Sequence, residues 1–100
     1  MKAKDYYEKY SPQVFAEGAN VVTVIRKMFM EMSEEGKTIM VQRKCKADDA
    51  VLAVIKEQNE KWNAISRLFT KHHNQTPLAR NGFMNFWNSV LKTEKEKKHE

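Results

Sequence analysis

Residues 48–69 read DDAVLAVIKEQNEKWNAISRLF. Within that stretch Val51, Ile55, Gln58, Trp62, Ile65 and Phe69 recur at alternating intervals of four and three. Such spacing keeps all six on one stripe of an α-helix. Leu52 and Leu68 widen the stripe, while Lys56, Glu57, Glu60, Lys61 and Arg67 fall mostly on the other side. Glu57 precedes Lys61 by four residues, the favourable order for a helical ion pair, which contributes about 0.2–0.5 kcal/mol. Asp48 supplies a carboxylate for the free N–H groups of the first turn, and Asp49 suits the positive helix end. No Gly or Pro interrupts the segment. Trp62 is the expected anchor, because a ring of that size buries roughly 150–250 Å². Gln58 is the one polar member of the stripe. It is either a seam position near solvent or a register-setting polar contact with a partner helix.

Working back towards the N-terminus, residues 21–44 read as a second long helix. Val22, Ile25, Phe29, Met32, Gly36 and Ile39 are spaced three and four, with Val21 and Met28 flanking. The β-branched run from Val21 to Ile25 also suits a strand, but the helical period continues through Met32 and decides for helix. Gly36 either breaks this helix or sits in its seam because another backbone passes close; a helix-interior glycine costs about 1 kcal/mol. The basic residues Arg43, Lys44 and Lys46 suit the negative C-terminal end of the helix, so Lys44–Ala47 is the expected tight connection. The two long segments, about 20–44 and 48–71, then form an antiparallel hairpin, each arm roughly 35 Å long at 1.5 Å per residue.

The flanks are shorter. Tyr7, Tyr10 and Val14 are spaced three and four, and Ser11-Pro12 fits an N-cap with a first-turn proline. One helix over 3–16 and two helices meeting at Ser11 are equally compatible with that pattern. Three close tyrosines form either a binding face or a packed helix with its hydroxyls at the surface. Gly18 ends the element, and Asn20 can cap the next. After Phe69 the period stops, and residues 71–75 read as a loop. Thr76-Pro77 can start one helical turn, and Asn81-Gly82 marks a turn or a cap. Phe83, Phe86, Trp87, Val90 and Leu91 make a short aromatic helix over 82–93, whose rings need the hairpin seam to bury in. Residues 92–100, KTEKEKKHE, contain no apolar side chain and read as a fraying helical end or a disordered tail.

The expectation is therefore an all-α small helical bundle, built on a long antiparallel helical hairpin with an N-terminal helical segment and a short aromatic C-terminal helix. It forms one domain over 1–93 with a charged tail over 94–100. Bulk composition agrees: 100 residues, 41% hydrophobic and 31% charged, with only 3 Gly and 2 Pro, fall in the globular, helix-favouring range. One cysteine, Cys45, excludes an internal disulfide and suits a reducing compartment. The N-terminal MKAKDYYEKYS lacks the apolar core of a signal peptide, and no run approaches the ~20 apolar residues of a membrane span. A cytoplasmic location without membrane contact is expected.

Candidate chemistry is sparse. Gly36-Lys37-Thr38 resembles the end of a phosphate-binding loop, but the earlier glycine is missing (residue 31 is Glu) and the residues lie in a helical pattern. Adjacent His72 and His73 diverge on a helix, and no second ligand pair accompanies them or Cys45. No catalytic, metal or cofactor site is expected, and no helix-turn-helix is found. The net charge of +5 permits nucleic-acid contact through Arg26, Lys27, Lys37, Arg43, Lys44 and Lys46, weakened by interleaved Glu31, Glu34 and Glu35. The leading reading is a non-enzymatic helical interaction or assembly module, of the sort common among phage and mobile-element accessory proteins, binding a protein partner or a second copy of itself as a homodimer. Uncovered hairpin surface, with Met28, Met30, Met32 and Met40 as adaptable contacts, motivates it. Trp62, Phe69, Phe83, Phe86 and Trp87 are the candidate interaction or core anchors. A nucleic-acid-associated protein using the basic face is the alternative.

Overall fold

The helical periods close into four helices in a computed structural model that describes residues 1–73 and 82–98. They are α1 (Ala3–Val14), α2 (Val21–Gln42), α3 (Asp48–His73) and α4 (Gly82–Lys98), and no strand occurs among the described residues. The readings for 74–81 and for 99–100 lie outside the described residues.

Helix α3 is held by the stripe that its sequence displays. Ile55, Gln58, Trp62, Ile65 and Phe69 are all buried, and Val51 is half-buried. The flanks differ from expectation: Leu52 is exposed, and Val54 is buried in its place. The helix also continues through 71–73, where a loop was expected; nothing before Asn74 is a helix breaker, and loss of the apolar period alone does not end a helix. Asp48 and Asp49 occupy the first turn, as their charge favours.

Helix α2 runs unbroken through Gly36. Asn20 caps it, its side-chain oxygen accepting from the Thr23 N–H at 3.2 Å. Its buried line is Val24, Met28, Met32, Ser33 and Gly36, rotated from the expected Val22, Ile25, Phe29 line. Ile25 and Phe29 are partly buried, and Val22 is 75% exposed. Met28 and Met32 are core residues, Met40 is partly buried, and Met30 is the exposed one of the four. The end of α2 is a Schellman turn: the Cys45 N–H bonds the Met40 carbonyl at 2.9 Å and the Lys44 N–H bonds the Val41 carbonyl at 3.1 Å. Lys44 takes the left-handed position, φ 53°.

Contacts between α2 and α3 run in opposite chain directions. Arg43 pairs with Glu57 at 2.8 Å, Glu35 with Lys61 at 3.0 Å, and Phe29 with Trp62 at 4.5 Å between ring centres. The two helices are therefore antiparallel. Between them the buried Gln58 amide donates to the Met32 carbonyl at 3.0 Å. Gln58 is thus a polar contact to the facing helix and not a seam position near solvent.

Helices α1 and α4 each pack on both α2 and α3 but do not meet one another among the described residues. They cover opposite sides of the α2–α3 pair. α1 is a single helix despite Pro12, with Tyr6, Tyr10 and Val14 buried across the Ser11-Pro12 step. Tyr6 donates its hydroxyl to Glu35, and Tyr10 donates to Glu31. Lys9 joins Glu31 at 2.8 Å, and the Met1 ammonium joins Glu35 at 2.5 Å. The Tyr6 and Tyr10 hydroxyls are therefore tied to α2 and not left at the surface. Tyr7 and Phe15 pack on Phe69, at 5.1 and 5.7 Å. On the other side, Phe83 of α4 approaches Phe29 at 5.6 Å and Trp62 at 6.4 Å, while Phe86 approaches Phe29 at 5.3 Å. The backbone of α4 is helical to Lys98, past the expected end at 93.

Candidate interaction face

With α1 on one side, α4 on the other and α3 behind, one face of α2 is left over among the described residues. It carries Val22, Thr23, Arg26, Lys27 and Met30, which line an open groove of about 360 Å³. Residues 22, 26 and 30 are each one helical turn apart, so they form a continuous line along the helix. Glu34, Lys37 and Val41 extend the same side towards the C-terminal end. The packing explains why this face is bare. Glu31 and Glu35 turn towards the hydroxyls of α1, Gly36 turns towards Trp87 of α4, and Met28 and Met32 fill the space between. Val22, Arg26, Lys27, Met30, Glu34 and Val41 are left exposed among the described residues.

The face is both apolar and cationic. Val22 is 75% exposed, Met30 51% and Val41 77%. Of the six large hydrophobic residues exposed among the described residues, Val21, Val22, Met30 and Val41 belong to α2. Arg26 and Lys27 are exposed beside them, and no ion pair among the described residues engages either.

The six candidate cations do not share one surroundings. Arg26 and Lys27 line the groove. Lys37 stands 3.6 Å from the Glu34 carboxylate. Arg43 is bonded to Glu57 across the hairpin, which raises its affinity for its proton and lowers that of Glu57. Lys44 and Lys46 are exposed in the turn between α2 and α3. Of the candidate anchors, Trp62, Phe69, Phe83 and Trp87 are interior and Phe86 is half-buried. They pack against one another and against α2 within the bundle. Cys45 is a free, half-buried thiol at the same turn. The side chains of His72 and His73 lie outside the described part of the structure.

Glu31 and Glu35 are structural residues bonded to the α1 tyrosines, although interleaved carboxylates read as a solvated face. Their signal is nevertheless in the sequence: Tyr6 and Tyr10 are four apart, and so are Glu31 and Glu35. Two such pairs match in register across antiparallel helices.

Among the described residues no three of His, Cys, Asp and Glu come together as a metal site, and no helix is long and apolar enough to cross a membrane. Compared with protein families, with curated proteins and with solved structures, the chain finds no match in any of the three.

Proposed function

We propose that the chain is a non-enzymatic helical interaction or assembly module that docks a protein partner on the outer face of α2. The observation that carries this reading is the exposure of Val22 and Met30 beside Arg26 and Lys27, on a helix whose other sides are occupied by α1, α3 and α4. Exposed apolar side chains gathered on one face and rimmed by charge are the usual make-up of a docking surface. Arginine and methionine are both enriched at such surfaces. The cations meet carboxylates on the partner's surface and fix its orientation, while the apolar groups supply the burial. The free thiol of Cys45 suits a reducing compartment, and the proposal takes the module to be cytoplasmic.

The test is a photoreactive residue placed at position 30 in cells, with the same residue at Lys56, on the exposed side of α3, as control. The expected result is a protein adduct from position 30, none from position 56, and loss of the adduct with Val22→Asp. Equal adducts from both positions, or none from position 30, overturn the reading. An adduct with nucleic acid would transfer the face to the nucleic-acid alternative, through Arg26 and Lys27.

A further inference from the structure

The outer face of α2 is self-complementary. Arg26 lies four residues before Met30, and Glu34 lies four residues after it. All three are exposed on the same helix. We propose that the occupant of this face is a second copy of the chain, packed antiparallel along α2 with the two Met30 side chains on the two-fold axis. The proposal rests on the outer face of α2 being the docking face.

In that arrangement residue n of one copy stands opposite residue 60 − n of the other, since 30 stands opposite 30. Arg26 then meets Glu34 of the second copy, and by symmetry Glu34 meets Arg26 of the second copy. A two-fold contact repeats each pair in this way. Val22 falls opposite Thr38 of the second copy, with Val41 one turn further on, so the exposed valines at the two ends of α2 lie beside each other at the edges of the contact. A parallel pairing would instead set Arg26 against Arg26 and Glu34 against Glu34, which like-charge repulsion disfavours.

The participating charges are available. Glu34 is 68% exposed, and it pairs at 3.6 Å with Lys37 on its own helix. Arg26 has no ion pair among the described residues. By contrast, Glu31 is engaged by Lys9 and Tyr10, and Glu35 by Lys61, Tyr6 and the Met1 ammonium. The carboxylates on the side facing α1 are thus satisfied within the chain, and Glu34, on the outer side, is the one left for another. Helix α3 offers no rival surface of this kind: its exposed side has Leu52 as its one large hydrophobic among the described residues.

Charge exchange tests this directly. Absolute mass is followed by light scattering over a concentration series for the full chain and for R26E, E34R and their equimolar mixture. Both positions are exposed, and far-ultraviolet circular dichroism checks that each variant is folded. The wild type should rise from 11.8 kDa towards twice that mass. R26E alone and E34R alone place two like-charged contacts in the interface and should associate at least tenfold more weakly. The mixture should recover, because one copy carries Glu at both positions and the other Arg at both. A wild-type dimer indifferent to R26E and E34R overturns the arrangement. A wild type that stays at 11.8 kDa overturns the second copy as occupant; if position 30 still captures a different protein, the docking face survives, and if it captures nothing, both readings fall.

Discussion

The tip of the Trp87 indole lies against the bare backbone of Gly36. A Cβ on residue 36 would stand 3.0 Å from Trp87 Cη2 and 3.2 Å from Cζ2. This side-chain contact, and neither a helix break nor a passing backbone, accounts for a glycine in the middle of α2. In an exposed helix Gly→Ala gains about 1 kcal/mol. Here the ring is fully buried, so it cannot move aside without shifting α4. Gly36→Ala should therefore lower stability by about 1–2 kcal/mol, seen as a lower urea midpoint with an unchanged slope. A stabilised Gly36→Ala would show that Trp87 does not occupy this site.

The Gln58 amide makes a distinct prediction. It is buried and donates to the Met32 carbonyl, one turn before Gly36. Gln58→Ala removes that bond and leaves a cavity, and should cost about 2–4 kcal/mol. Gln58→Leu refills the volume without the bond and should cost only about 1 kcal/mol. Equal losses from the two variants would mean that packing does not matter there.

Lys44 holds φ 53° at the position where helices usually place glycine. A side chain in that region is disfavoured by about 1–2 kcal/mol, partly offset by the greater freedom of glycine in the unfolded chain. Lys44→Gly should raise stability by about 0.5–1 kcal/mol and Tm by about 2–8 °C. A fall in Tm would mean that the Lys44 side chain holds the turn by a contact of its own.

The carboxylates facing α1 set the pH response. Burial works to raise the Glu35 pKa, but hydrogen bonds from the Met1 ammonium, Tyr6 and Lys61 override it and bring it down from 4.5 to about 2. Glu31 is lowered in the same direction: burial opposes the shift, and Lys9 and Tyr10 prevail. A folded pKa below the unfolded one stabilises above the unfolded value and loses that contribution as pH falls through the folded value. Stability should therefore decline between about pH 5 and pH 2. Glu35→Gln should lose about 1–3 kcal/mol at neutral pH and show a flatter acid limb. Burial, followed by Glu35 and Glu31, pushes the Tyr6 and Tyr10 hydroxyls well above their ordinary value, so their contribution holds below pH 10 and is lost above it. Tyrosinate absorbance from these two should appear only together with alkaline unfolding, and a fully reversible titration of Tyr6 and Tyr10 in the folded state would contradict the network.

How much of this was legible depends on how many faces each segment offers. In α3 one apolar stripe competes with charged residues on every other side, and five of its six expected members are buried. In the N-terminal half of α2 apolar residues occupy 21, 22, 24, 25, 28, 29, 30 and 32, which is enough for two overlapping stripes. The choice between them is tertiary. Tyr6 and Tyr10 bring Glu31 and Glu35 towards α1, Trp87 needs Gly36, and together they turn Val22 and Met30 outwards. No local pattern in 21–44 contains that information. The same rotation separates Arg26 and Lys27, on the outer face, from Arg43, which is tied to Glu57. The hidden variable was the orientation of one helix, and the candidate face follows from it.

Three methionines within five residues report that orientation. Met28 and Met32 are fully buried, whereas Met30 between them is 51% exposed. The measurement is the rate of sulfoxide formation at each under mild peroxide, read by peptide mass, on the R26E variant so that pairing of copies does not shield Met30. The account predicts rapid oxidation of Met30, with Met28 and Met32 protected until the chain unfolds. Oxidation of Met30 as slow as that of its neighbours, or rapid oxidation of Met28 or Met32 in the folded chain, would contradict an uncovered outer face on α2 and the docking role assigned to it.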